Sequence, residues 1–346
     1  MVKVFYHIPH PDGLGADRWI CDAWREGFQR LGHKFVEVSS LRSLADTSAV
    51  QTPTLFFTAI NLLDSESWVP ALHRLRKAGT RVLLWVHWPL VPSVERRLAD
   101  ILKDDDIADV YFGERESEQM AQFEAETGKK YHVVANAANP ALHFPAKPLA
   151  KYQYDVVYLG ANLRHKRWFA ENVLRPLKAR YRVGLFGPRW TARDHVLRAI
   201  SKVSRLVGLR GVAKCVDRHR ITIPPDEENL LYSSAKISLN FHEREPDGSQ
   251  PHYIVNQRTF KIPACGGFQI CDYVPAIRKY FADDEVVLAS LDARDWHDKI
   301  EYYLAHDDER RHIQAKGTKR ALLEHLSTSR VRQVLSLLGI RERHVG

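Results

Sequence analysis

Short, almost unbroken apolar runs alternate with amphipathic stretches along most of this chain, and they do so in two successive sets. In the first set Val4 to Ile8 reads as a strand. Asp17 to Leu31 reads as a helix with Trp19, Ile20, Ala23, Trp24, Phe28 and Leu31 inward. Strand-like runs follow at Phe35 to Val38, Leu55 to Ile60, Val82 to Trp88, Val110 to Phe112 and His132 to Val134, separated by helical stretches near 66–78, 93–103 and 114–127. A strand with one wet face alternates apolar and polar residues; one apolar at nearly every position needs cover on both faces. This rhythm therefore predicts parallel sheets sandwiched between helices. Asn139 to Gln153, with Pro140, Pro145 and Pro148, interrupts it. The rhythm restarts at Asp155 to Leu159, Val183 to Phe186, Ile237 to Phe241, Phe268 to Cys271 and Val286 to Leu288. Two successive doubly wound units follow from this. The final helices, about 307–326 and 328–338, exceed what a second sheet needs.

The chain's 346 residues are enough for two such cores, and 45% apolar with 27% charged residues is ordinary for a soluble globular protein. Val2 to Ile8 is too short for a signal peptide and is stopped by Pro9 and Pro11. The longest apolar run, Val82 to Val91, is broken by His87 and Pro89. Cys21, Cys215, Cys265 and Cys271 show no C-x-x-C spacing, so a reducing cytoplasm is the simplest expectation, without a disulfide framework or structural zinc. The formal charge of +9 is concentrated: residues 191–220 hold eight Lys or Arg against Asp194 and Asp217, a net +6. Arg198, Lys202 and Arg205 fall on one helical face, Leu197, Ile200, Val203 and Val207 largely on another. One reading is a solvated charged face over a core stripe. The other is a surface for anionic lipid at the inner membrane face, nucleic acid or an acidic acceptor.

Doubly wound sheets bind ligands outside the carboxyl ends of their strands, so strand ends are the places to search. The loop after the first strand carries Asp12, Gly13, Gly15 and Asp17. It imitates a dinucleotide fingerprint, but Arg18 stands where the third glycine belongs, which argues against an NAD site. Gly13 and Gly15 suit a sugar or acceptor loop, or simply a turn. His87, at the end of the most apolar strand, can bind a sugar hydroxyl or take a proton, or be a core histidine among tryptophans; Asp12 and Asp17 are rival bases. After Tyr158-Leu159, Gly160 opens a loop with Arg164, His165 and Lys166 ahead of a helix, a combination suited to a diphosphate. Leu185-Phe186-Gly187-Pro188-Arg189-Trp190 is a further strand end, with aromatics that can flank a base or fill a core.

Asn256 to Val274 combines a short helix bearing Arg258 and Lys261, a Gly266–Gly267 turn and an apolar strand ending in Asp272. Glycines let backbone N–H groups approach phosphate oxygens, and cations neutralise them. This segment resembles the nucleotide-sugar-binding segment of the CgeB-like (spore maturation protein) branch of the GT-B glycosyltransferases. The resemblance extends over most of residues 130–335, through Val133 to Pro140, Tyr154 to Gly160, Phe186 to Trp190, Tyr232 to Lys236 and Asp307 to Arg311 in family order. It implies a GT-B fold: two Rossmann-like domains facing across a cleft, 1–145 on the acceptor side and 146–325 on the donor side. A helix at 326–346 would pack back on the first. It also implies a nucleotide-sugar donor, UDP-, GDP- or dTDP-linked, and transfer without an obligatory metal, with cations stabilising the departing diphosphate.

One position departs from that family. Where its members usually carry a glutamate that accepts hydrogen bonds from ribose, this chain has Lys261, which has donors only. Lys261 can meet a phosphate instead, Asp272 or another residue can take the ribose, or the site has lost catalysis and only binds. The expectation is a glycosyltransferase in which Gly160, Arg164, Lys166, Gly187, Arg258, Gly266 and Gly267 hold the donor. Lys261 and Asp272 would lie beside the nucleoside, with His87, Asp12 or Asp17 toward the acceptor. The alternatives are a lapsed relative that binds a nucleotide, glycan or polyanion, and an epimerase of nucleotide sugars.

Overall fold

The computed structural model describes residues 1–8, 16–40, 54–60, 68–86, 100–242 and 254–340. Internal contacts divide the chain into two compact units, Met1–Asn139 with Ser327–Gly346, and Pro140–Leu326.

In the first unit β1 (Lys3–His7), β2 (Lys34–Val38), β3 (Thr54–Ala59), β4 (Arg81–Trp85), β5 (Val110–Gly113) and β6 (Tyr131–Val133) form one sheet in the order β2-β1-β3-β4-β5-β6. Every pairing is parallel. Neighbouring residues point to opposite cores, which is why the strands read as continuous apolar runs. Phe5, Phe56, Val82 and Leu84 pack with Trp68 and Leu72 of α2 (Trp68–Lys77) and Phe123 of α3 (Ala121–Thr127). Val4, Phe57 and Leu83 pack on the other face with Trp24 and Phe28 of α1 (Ala16–Arg30) and Val331, Val334 and Leu335 of the helix Ser327–Leu337. Each such side chain contributes about 1.5–3 kcal/mol by leaving water. A Cβ on Gly27 would lie 3.0 Å from the Ser327 backbone, so glycine there lets the C-terminal helix lie close to α1. That helix is also tied by Ser327 N–H to Ala138 O (2.9 Å) and Gln333 Nε2 to Val133 O (2.8 Å). Two readings need correction. Trp19, expected inward, is exposed, and the stretch 114–127 divides into a 3-10 turn, Ser117–Gln119, and α3. The helix expected at 93–103 falls mostly outside the described residues.

The second unit has β7 (Val156–Leu159), β8 (Val183–Phe186), β9 (Ile237–Asn240), β10 (Gln269–Asp272) and β11 (Val287–Ala289), ordered β11-β10-β9-β7-β8 and again parallel. Its helices are α4 (Ala192–Leu206), α5 (Arg210–Arg218), α6 (Glu228–Ser234), α7 (Arg258–Ala264), α8 (Ala293–Ala305) and α9 (Asp307–Glu324), with a helical stretch over 164–177. Phe169 stacks on Phe241 at 4.4 Å and Trp296 meets both rings, anchoring that stretch and α8 to the sheet. In α4 the structure inverts the expected stripe: Ile200, Val203 and Val207 are exposed, whereas Asp194, Ser201 and Ser204 are buried. All four cysteines are free, Cys215 alone among them exposed. Among the described residues no helix is long and apolar enough to cross a membrane.

Each sheet reverses its winding once. In the first unit the reversal falls between β1 and β3, in the second between β7 and β9. The carboxyl ends at such a switch point diverge into a crevice, which is where a doubly wound sheet offers a ligand its backbone.

Candidate functional site

At the switch point of the second unit the deciding side chain is Arg258, the first residue of α7. Its Nη1 donates to Leu159 O at the end of β7 (2.9 Å) and its Nη2 to Phe241 O just past β9 (3.0 Å), while Nε donates to Asn240 Oδ1 (3.1 Å). The guanidinium thus bridges the two diverging strands and lies over the Tyr158 ring. Only a rigid planar fork can serve three acceptors in this way. Behind it runs a buried polar chain. Asn240 Oδ1 also accepts from Asn256 Nδ2 (2.9 Å), and Asn240 Nδ2 donates to Thr259 Oγ1 (3.0 Å). Thr259 Oγ1 lies 3.3 Å from His242 Nε2, and His242 Nδ1 lies 2.7 Å from Asp272 Oδ1.

The strand ends beside Arg258 carry glycines, because neighbouring groups fill the space a side chain would need. A Cβ on Gly160 would meet Arg258 Nη1 and lie 2.7 Å from the Tyr158 hydroxyl. Gly187 has φ +107°, and a Cβ there would lie 2.7 Å from Gly160 O. The loops beyond are laced together. Trp190 Nε1 donates to Gly160 O (2.7 Å), Asn162 N–H to Pro188 O (3.0 Å) and Arg189 N–H to Asp194 Oδ2 (2.6 Å). Arg189, at φ +71°, is the one non-glycine residue of positive φ among the described residues. Such a conformation costs about 1–3 kcal/mol and persists where its surroundings over-determine it, as these bonds do. Arg164 stands exposed in the loop after β7 and Lys166 is buried there. The structure therefore brings Gly160, Gly187 and Arg258 together at one switch point, with Arg164 and Lys166 on the loop that leaves it.

Other expected donor residues are held elsewhere. Gly266 N–H donates to Pro263 O (2.8 Å) and Gly267 N–H to Ile262 O (2.9 Å), so both amides cap the end of α7. With a rise of about 1.5 Å per residue, this turn lies roughly 12 Å along the helix from Arg258, at the amino end of β10. The phosphate role expected of the pair has no support there. Asp272 is fully buried, and its Oδ1 accepts from the backbone (2.9 Å) and ring of His242. Lys261 is buried too, and its Nζ donates to Glu228 Oε2 (3.3 Å) at the start of α6, with His143 Nε2 at 3.5 Å from the same oxygen. Burial alone would raise the Glu228 pKa, but the Lys261 ammonium and His143 outweigh it and hold it at about 2. A carboxylate does lie beside position 261: that of Glu228, 33 positions earlier in the chain and paired with the lysine.

The donor atoms of His242, Cys271 and Asp272 lie within 4.8 Å of one another, close enough to hold a cation. Burial keeps the Cys271 thiol well above its usual pKa and all three side chains are fully buried. A short His242–Asp272 hydrogen bond with a protonated thiol beside it suits a structural triad better than an open metal site.

In the first unit Asp17 is exposed in the first turn of α1, while Asp12, Gly13, Gly15 and His87 lie outside the described residues. The described switch point holds a residue the sequence reading passed over, His7. Its Nδ1 is 3.2 Å from Thr58 Oγ1, and its ring lies 4.2 Å from that of Trp68. Burial lowers its pKa to about 4, so the ring is neutral near pH 7. Its place as the last residue of the first strand was the signal that could have found it.

A family profile described as glycosyl transferase-like matches residues 164–336. No curated protein matches the chain. Among solved structures, sucrose-phosphate synthase from Thermosynechococcus elongatus is similar at a TM-score of 0.64 and 14% identity, with 98% of each chain covered. Anabaena Alr3699/HepE in complex with UDP and glucose is similar at 0.58 and 10%, covering 98% of this chain and 99% of that one. A glycosyltransferase from Rickettsia africae is similar at 0.59 and 12%, with 98% of each chain covered. At such identities the likeness speaks for the fold, which is of the GT-B type, two Rossmann-like units in one chain.

Proposed function

The chain belongs to the glycosyl transferase-like family, and on that footing we propose that it transfers a sugar from a nucleotide diphosphate donor to a glycan, lipid, protein or nucleic-acid acceptor. The observation that carries this reading is Arg258 at the switch point of the second unit, packed directly against Gly160 with Gly187 against Gly160 in turn. A diphosphate meets there a fixed cation and bare backbone, and the loop of Arg164 and Lys166 adds positive charge. These groups would stabilise the departing diphosphate without an obligatory metal. The solved Anabaena protein holds UDP, which supports a uridine donor over the GDP- and dTDP-linked rivals. On the nucleoside side Glu228, rather than residue 261, supplies the carboxylate. The CgeB-like branch and a cytoplasmic setting are part of the same proposal, carried by the segment Asn256 to Val274 and by four free cysteines. His87, Asp12 and Asp17 stay candidates for the acceptor's base, and His7 joins them as a neutral imidazole. Segment 191–220, at net +6, would attract an anionic acceptor or surface.

A second reading, donor binding without turnover, is favoured by one observation. Lys261, Asp272, Gly266 and Gly267 are all committed to internal bonds. One experiment separates the two. Thermal melts with UDP, GDP, dTDP and their sugars should rise for one nucleotide family, and that donor should then release its sugar to water or an acceptor. Binding with no sugar release would leave the lapsed relative; no rise with any nucleotide would end the donor-site reading.

A further inference from the structure

The helix pair α4–α5 wears its apolar side chains outward. Val196, Ile200, Val203 and Val207 repeat at intervals of four, three and four, which places them on one helical face, and they are 44–63% exposed. Leu206, at 78%, borders the stripe, and Leu209 and Val212 continue the exposed apolar surface onto the turn and α5. Seven of the sixteen exposed large apolar residues described in the chain fall within these seventeen positions. Contiguous exposure of this kind marks a surface that a partner molecule or a membrane covers.

This orientation is built. Asp194 accepts from Arg220 Nε (2.8 Å) and from Arg189 N–H (2.6 Å), Asp217 accepts from Arg205 (2.5 Å) and Arg220 (3.2 Å), and Ser201 and Ser204 are buried. Rolling α4 over to bury its valines would break these ion pairs and expose nothing better. The polar pins hold the stripe out.

Charge and composition choose the occupant. Residues 191–220 carry a net +6, so two copies of this surface repel each other. The same residues include no Phe, Tyr or Trp, so a nucleic acid finds cations but only the two small rings of His195 and His219 on which to stack a base, against a broad aliphatic stripe. On the helix Arg193 and Lys202 border the stripe on either side, and such long side chains can reach outward while the aliphatic groups go inward. We propose that α4–α5 docks this protein on a lipid bilayer rich in anionic headgroups, with Val196, Ile200, Val203, Leu206 and Val207 in the acyl boundary. The exposed cations then meet the lipid phosphates. The inference does not depend on the donor-site reading, since none of the residues placed in the acyl boundary belongs to that site.

The test is co-sedimentation of the full chain with vesicles of phosphatidylcholine alone or with about one-third phosphatidylglycerol. Binding is expected on the anionic vesicles only, weakening as salt rises. Ile200→Glu with Val203→Glu should lower partition by roughly tenfold or more while the melting temperature and nucleotide binding hold, because both positions are exposed. Lys202→Glu with Arg210→Glu should lower it on anionic vesicles as well. Failure of the parent protein to bind, or equal binding by the Ile200/Val203 variant, overturns the proposal. So does a dimer that this variant disperses, or tight RNA binding without vesicle binding.

Discussion

At the switch point of the first unit a histidine meets a threonine; at that of the second an arginine meets two carbonyls. The backbone setting is the same in both, the diverging carboxyl ends of two parallel strands. The chemistry is opposite. His7 is ringed by Phe56 and Trp68, and burial keeps it uncharged. Arg258 cannot lose its proton, and it is held in place by carbonyls whose lone pairs welcome the charge. A neutral polar crevice suits hydroxyls, a cationic one suits phosphates. The fold supplies two like backbone settings, and the side chain placed at each, His7 from a strand end and Arg258 from a helix start, differs in charge.

The largest effect that would sharpen this contrast is that of Arg258→Ala. It removes the Arg258 donors from Leu159 O and Phe241 O and leaves Asn240 Oδ1 with Asn256 alone, so denaturant unfolding should show a loss of about 3 kcal/mol. Nucleotide affinity by calorimetry should fall roughly hundredfold. Unchanged affinity would separate the cation from the donor site.

Acid should then take the two units apart in order. His7 titrates near 4 when folded against 6.5 when free, so its contribution is complete above pH 6.5 and is lost as pH falls toward 4. Glu228 titrates near 2 against 4.5, so its contribution is complete above pH 4.5 and is lost as pH falls toward 2. Each amounts to about 3 kcal/mol. Hydrogen exchange on acidification should loosen the first unit before the second; His7→Phe should remove the earlier limb and Glu228→Gln the later one. The reverse order would break the comparison.

Smaller effects follow. Arg164→Ala, at an exposed loop position, should leave the melting temperature alone and weaken nucleotide binding about tenfold, a single charge-assisted contact. Arg189→Gly relieves a left-handed φ of +71° and should change stability by about 1 kcal/mol or less, because glycine's greater freedom when unfolded opposes the relief. A gain well beyond that would mean the strain is not compensated by the bonds at Asn162 and Asp194.

Much of the fold was legible because strands covered on both faces read as short, nearly continuous apolar runs, and amphipathic stretches separate them here. Val183–Phe186 reads the same from sequence and from coordinates, and most other strands shift by a residue or two. The site was legible only in part. Gly160, Gly187 and Arg258 each stand at a strand end or at the start of a helix, and the structure brings them together. Gly266 and Gly267 stand beside a strand as well, but at its amino end, and a glycine pair does not announce which end it serves. Lys261 looked like a missing carboxylate because its partner, Glu228, lies on another helix. The stripe on α4 was read inside out, since apolar spacing shows that a helix has a face and not where that face points.

By itself, then, the sequence determined two parallel-sheet units, their strands and a phosphate-suited set of glycines and cations. These are properties of local pattern: periodicity, chain stiffness and the chemistry of single residues. The tertiary structure decided which charges are spent and which faces stay wet. Arg220 reaching Asp194, Glu228 reaching Lys261 and His242 reaching Asp272 are pairings across 26, 33 and 30 positions. Such partners are chosen by the packing of whole elements, which no window of neighbouring residues contains.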